Sequence, residues 1–344
     1  MKSTKSIQNI IKQLGDNAYS FDADELRFLM YSPKLFLDNF QKNPLLSPKY
    51  KENQVIPEAI IEISNDCEND CAGCEIRESN YLIKRFHLNA DEIINAAKKI
   101  SNAGINSIIL KTGQNSQLDT DIIAYLVYSI KNISNTELTL ATGLRNFDEY
   151  RAWRIAGADN YFIYDCCDRD KGKLFNDIDA HIKYLKRLGY KISLGKYLDI
   201  KNDEVEELID FILLCEKCEP DLISIEPVLN KLKLYDDKRD LKKVFAAIAL
   251  LRAKFLTKSI VSHYSYDSFI EEGCQKAVDY GSNVYLMDYT PQKYLEMNKS
   301  ELSMLYSQLR INSSIGMNNK TTSLSGRKIN QKNILKKKEN PVHN

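Results

Sequence analysis

No stretch of this 344-residue chain stays apolar for anything near the ~20 residues a membrane-spanning helix needs. Its first residues, MKSTKSIQNIIKQLGDNAYS, are polar and periodic, without the basic and then apolar segments of a secretory leader. A cytoplasmic protein with no membrane partner is therefore expected. An excess of one charge is missing too: 48 Lys and Arg against 47 Asp and Glu leave no overall field to attract nucleic acid. Partner choice must come from a local site. Histidine is scarce, and of the four only His263, at the end of a strand-like run, is placed to act in a site; His87, His181 and His343 read as surface residues. A Cys–His nucleophile would have to pair Cys166 with His263. The eight cysteines, at 67, 71, 74, 166, 167, 215, 218 and 274, are too sparse and uneven for a secreted disulfide framework.

What the chain does have is an alternation. Short β-branched runs occur at 59–64, 107–113, 137–143, 161–165, 191–197, 222–228, 259–265 and 283–289. Amphipathic stretches separate them, among them 90–104, 148–158, 179–190, 203–218 and 239–255. Eight such units predict an α/β chain folded as a (β/α)8 TIM-type barrel over 56–310. The alternative is a doubly wound open sheet of about six strands, since SIVSHYS and NVYLMDY are polar enough to be loops. Residues 1–55 read as a short helical lead-in, with DADELRFLMYS starting on an acidic cap. Residues 311–344, with seven basic residues and one acid, read as a flexible basic tail.

The densest chemistry lies just past the first strand. In EISNDCENDCAGCEIRESN, Cys67, Cys71 and Cys74 are spaced C-x3-C-x2-C. Three thiolates are one ligand short of a closed structural zinc site. They suit a 4Fe-4S cluster whose fourth iron stays open to a small molecule; a zinc site completed by a distant Cys or His is the other reading. In a barrel this loop opens on the C-terminal strand ends, where active sites are built. Cys215 and Cys218 form a C-x2-C at the end of an amphipathic stretch with no second pair, and read as structural. Cys166 and Cys167 end the fourth strand on the site face.

In cysteine spacing, loop position and barrel context the chain resembles the radical S-adenosylmethionine superfamily. The wording around the cysteines, with HLNADEIINAAKKISNAGINSIILKTGQN, EYRAWRIAGADNYFIYD, YLKRLGYKIS and GSNVYLMDYTPQKYLEM, is similar to the branch of biotin synthase, methylornithine synthase and the FeFe-hydrogenase maturase HydE. It is similar as well to the HmdB/HcgA radical enzyme of Fe-hydrogenase cofactor synthesis, whose first cysteine spacing is longer. The resemblance implies a 4Fe-4S cluster on Cys67, Cys71 and Cys74, S-adenosyl-L-methionine on the open iron, and an electron donor such as ferredoxin or flavodoxin. It also implies a small-molecule or cofactor-precursor substrate, in the biosynthesis of a cofactor or hydrogenase active site. Carried over position by position, it puts Gly113, Gln114, Gly143, Tyr164 and Cys166 around the cofactor. Several of these depart from the pattern: Gly73 stands where relatives have an aromatic residue, Gln114 where they have an acid, and Tyr164 and Cys166 where they have an Arg-x-Glu pair. The substitutions leave a noncatalytic Fe-S scaffold as a rival reading.

Overall fold

The computed structural model describes residues 7–14, 20–42, 55–71, 74, 76–81, 83–165, 178–198, 205–227, 241–263 and 272–290. Eight parallel strands close into a barrel in chain order: β1 (Ile56–Glu62), β2 (Ser107–Lys111), β3 (Glu137–Ala141), β4 (Asn160–Tyr164), β5 (Lys191–Leu198), β6 (Leu222–Pro227), β7 (Ser259–His263) and β8 (Val284–Asp288). The last strand pairs back onto the first, Val284 beside Ile56 and Asp288 beside Ile60. The open-sheet alternative is thereby excluded, and both polar runs are strands.

The helices follow from the same pattern. After β1 comes α4 (Ala90–Asn102), after β2 α5 (Thr120–Ile133), after β3 α6 (Phe147–Ala156), after β4 α7 (Ile178–Arg187) and after β5 α8 (Val205–Cys218). Then α9 (Lys242–Lys254) follows β6 and the short α10 (Gly273–Asp279) follows β7. The start of α4 is closed by a capping box: Asn89 Oδ1 accepts from Glu92 N at 2.9 Å while the Glu92 carboxylate accepts from Asn89 N. Before the barrel stand α1 (Ile7–Gln13), α2 (Ala23–Tyr31) and α3 (Pro33–Lys42). Here α2 lies against α8 and α3 against α9. That packing explains why α9 is apolar on every side: Val244 through Ala253 are all buried, between the barrel and the leading helices. The charged Arg252 among them donates to the carbonyls of Gly281, Phe255, Leu256 and Lys258 and so ties α9 to the β7 and β8 ends.

Inside the barrel, alternate residues of each strand face the axis and form layers. At the N-terminal end the layer is polar: Ser107 Oγ donates to Glu58 at 2.6 Å, and Glu137 accepts from Asn160 and Lys191. The middle is filled by Ile60, Ile109, Ala141, Phe162, Val261, Val284 and Leu286. This apolar plug closes the barrel floor. Two residues further along β1, β2, β4, β7 and β8 the inward positions turn polar again, and this is the end where the cysteine loop leaves β1.

Candidate functional site

The cysteine loop is held by backbone acceptors rather than by packing. Chain 86–88 folds back beside the end of β1: Leu88 N donates to Ile63 O, and the Asn65 side chain bonds both Phe86 N and Lys84 O. Arg85 then gathers three carbonyls of the loop, those of Asn65, Ile76 and Arg77, at 2.5–2.8 Å. Arg77 donates to Cys74 O, and Cys74 N to Cys71 O. The other side of the loop rests on the end of β2, where Glu68 N donates to Gln114 O at 2.7 Å. Gly113 makes that contact possible, because a Cβ on it would strike Asp66 O and stand 2.6 Å from Cys67 Cβ.

The three thiols share one environment. Burial raises the Cys67 thiol, opposed by bonds from the Asn69 and Gln114 backbone, and charge on Cys71 would raise it further. Burial, with charge on Cys71 and Cys67, pushes Cys74 up to about 11. Among the described residues no three His, Cys, Asp or Glu side chains are drawn together into a metal-holding group. As a donor set, however, three thiols outside any disulfide, sensed by one another on one acceptor-tethered loop, fit a thiolate-bound cluster. On the outer side of the loop, a cavity of about 550 Å³ between α4 and α5 reaches Asp66, Cys67 and His87.

The glycine and amide of the neighbouring loops are interlocked. Gln114 Oε1 accepts from Leu144 N and its Nε2 donates to Leu144 O, both at 2.7 Å. Gly143, at φ +77°, makes the turn under that amide, where a Cβ would meet Gln114 Oε1. So Gln114 and Gly143 join the loops after β2 and β3. Gly73, Cys166, Cys167 and His343 lie outside the described residues. Cys215 and Cys218 are buried on α8, remote in the chain from the loop. His181 corrects the surface expectation: it is 5% exposed, with Tyr150 Oη 2.9 Å from its Nδ1.

Sequence reasoning singled out Tyr164 and His263 but missed Glu226 and Lys111, which join them at the centre of the mouth. Glu226, at the inward end of β6 and 2% exposed, accepts from Tyr164 Oη at 2.8 Å and from Ser224 Oγ at 3.0 Å. Lys111 Nζ stands 3.7 Å and His263 Nε2 3.6 Å from its other oxygen. Lys111 also lies over the rings of Tyr164 and Tyr197, 4.9 and 5.3 Å from their centroids. Those rings stack with Phe162 in one ladder, at 4.4 and 4.7 Å, which Gly195 permits because a Cβ there would lie 2.7 Å from two of them. Burial would raise the Glu226 carboxyl, but the Lys111 ammonium, with His263, Tyr164 and Ser224, holds it below the ordinary range. His263 is pushed down to about 4 by burial, against the pull of Glu226, and is neutral at pH 7. The available signal was parity: charged residues at the last inward position of β1, β2, β6 and β8.

Comparison with known proteins agrees with this geometry. No family model matches the chain. It is 25% identical over 260 residues to the [FeFe] hydrogenase maturase subunit HydE of Thermotoga maritima, covering 72% of this chain and 74% of that one. It is also 25% identical over 219 residues to 3-methylornithine synthase of Methanosarcina acetivorans, covering 60% and 62%. These likenesses support a divergent relative of the radical S-adenosylmethionine branch. Among solved structures, methylornithine synthase (PylB) superposes with a TM-score of 0.70 at 20% identity, over 88% of this chain and 95% of that one. The maturase HydG from Carboxydothermus hydrogenoformans gives 0.67 at 17% identity, over 88% and 77%. These two matches show the same closed barrel fold.

Proposed function

We propose that this chain is a radical S-adenosylmethionine enzyme that holds a 4Fe-4S cluster on Cys67, Cys71 and Cys74 and serves the biosynthesis of a cofactor or hydrogenase active site, as the HydE likeness suggests. The observation that carries the reading is the thiol triplet on the first βα loop, at the mouth of a closed barrel. When bound, the cluster with S-adenosylmethionine on its open iron supplies one-electron cleavage of a carbon–sulfur bond, and with it a 5′-deoxyadenosyl radical.

The chain's own residues do the rest. Buried thiols must lose their protons to become ligands, so loading the loop releases protons to solvent. Arg85 and Gly113 keep the loop against the end of β2, and Gln114 with Gly143 fixes the next turn beside it. The apolar middle layer excludes water from below. Tyr164, on the wall of the mouth, and Cys166 complete the ligand-facing set in this reading. The substrate is a small molecule or cofactor precursor, and a ferredoxin or flavodoxin supplies the electron.

Anaerobic reconstitution tests this. Replacing any one of Cys67, Cys71 or Cys74 by Ala is expected to abolish the paramagnetic signal of the reduced cluster. S-adenosylmethionine at millimolar concentration is expected to shift that signal in the unaltered protein and to release 5′-deoxyadenosine. A signal surviving all three replacements overturns the ligand assignment. A loaded, reduced cluster indifferent to S-adenosylmethionine would instead make the chain an Fe-S scaffold.

A further inference from the structure

We propose that Lys111 is the group that seats a carboxylate in the barrel mouth, and that the ligand bearing it carries an amino-acid group. The inference rests on the proposed function only in placing the ligand at this end of the barrel. Among the described residues, Lys111 is the cation that strand parity turns inward here, at the end of the strand that leads into Gly113 and its contact with the cysteine loop. The direction of its ammonium is set by the Tyr164 and Tyr197 rings and by Glu226. Glu226 is buried to 2% and engaged by Tyr164 and Ser224, whereas the Lys111 side chain keeps 13% exposure. An incoming ligand meets the ammonium before the carboxylate.

A structural role explains this arrangement poorly. Buried ion pairs add little stability over apolar residues of equal size, and the layer immediately below is apolar. Strand register also sets Glu62 beside Lys111 and Asp288 beside Ile60. A cation flanked by inward acids matches a carboxylate accompanied by an ammonium. That group occurs in the methionine part of S-adenosylmethionine, and a substrate can carry it too.

Isothermal titration of the cluster-loaded full chain separates the two sources. S-adenosylhomocysteine is compared with 5′-methylthioadenosine, which lacks the amino-acid part, and free L-amino acids are compared with their amides. A preference for the carboxylate member of about ten- to a hundredfold is expected in one pair, and Lys111→Met should erase it. Loss in the nucleoside pair places the cofactor on Lys111; loss in the amino-acid pair places the substrate there. Because Lys111→Met leaves Glu226 buried without its ammonium, Lys111→Met/Glu226→Gln and Lys111→Arg are measured alongside. The double variant should lose the preference and Lys111→Arg should keep most of it. No carboxylate preference in either pair, or a preference that survives in both Met-containing variants, overturns the proposal. Iron per chain is read in every sample, so failure to load the cluster counts against the proposed function and not against Lys111.

Discussion

Two buried groups at opposite ends of the barrel titrate in opposite senses, and the structure predicts that they hide each other. Glu58, in the N-terminal layer beside Ser107 and Glu137, is pushed by burial from 4.5 up to about 7. A carboxyl whose folded pKa is raised binds a proton on folding. Its stabilisation is complete below pH 4.5 and is lost as pH rises through about 7. His263, facing Glu226, Lys111 and Asp288, is pushed from 6.5 down to about 4. Its stabilisation is complete above pH 6.5 and is lost as pH falls through about 4. Each shift amounts to about 3 kcal/mol at ~1.4 kcal/mol per unit. Between pH 4.5 and 6.5 the slopes cancel, so urea unfolding of the parent chain should give nearly constant stability. Glu58→Gln should expose the histidine, with stability rising by about 3 kcal/mol across that window. His263→Gln should expose the carboxyl, with a fall of similar size. The Cys67 and Cys74 thiols, raised by burial, are silent at these pH values. A Glu58→Gln protein as flat as its parent would refute the reasoning, since no opposing slope would then exist.

Two further outcomes follow from the site. Gly113→Ala should drive the cysteine loop off β2, because the new Cβ meets backbone at Asp66 and lies 2.6 Å from Cys67 Cβ. Destabilisation of about 1–3 kcal/mol and reduced iron per chain, by unfolding midpoint and metal analysis, are expected. Replacing Cys215 and Cys218 together by Ala should leave iron per chain unchanged, since both thiols are buried on α8. Loss of the iron in that variant would show that the C-x2-C is a ligand pair.

How much of this was legible follows from what each signal depends on. Parallel strands are buried on both faces, so they read as β-branched runs, and all eight were visible within a few residues of their true ends. The polar run SIVSHYS looked doubtful because a barrel mouth needs polar inward residues: Val261 fills the middle layer and His263, two residues later, faces Glu226. The cysteine triplet was legible because its ligands are close in sequence and its loop position follows from β1. Partnerships across the barrel were not. Tyr164 and Glu226 are 62 residues apart, and Tyr150 and His181 are 31 apart, so no local pattern marks either pair.

Charge alone does not identify a site in such a barrel, because both ends of the interior are charged. At the N-terminal end Glu58 meets Ser107, and Glu137 meets Asn160 and Lys191. Those bonds satisfy side chains beneath the apolar layer, away from the cysteine loop. At the other end, inward charge shares its space with a thiol triplet and with loops whose glycines permit close backbone contact. Polar groups there are aligned with the place where a ligand must enter. The apolar layer of Ile60, Ile109, Phe162, Val261 and Leu286 is what separates these roles. It stops the upper charges from being neutralised by the lower ones, so Lys111 is balanced within the mouth by Glu226 and the inward acids beside it. A ligand carboxylate that takes Lys111 disturbs that balance, which is why discrimination at Lys111 and the state of Glu226 should change together.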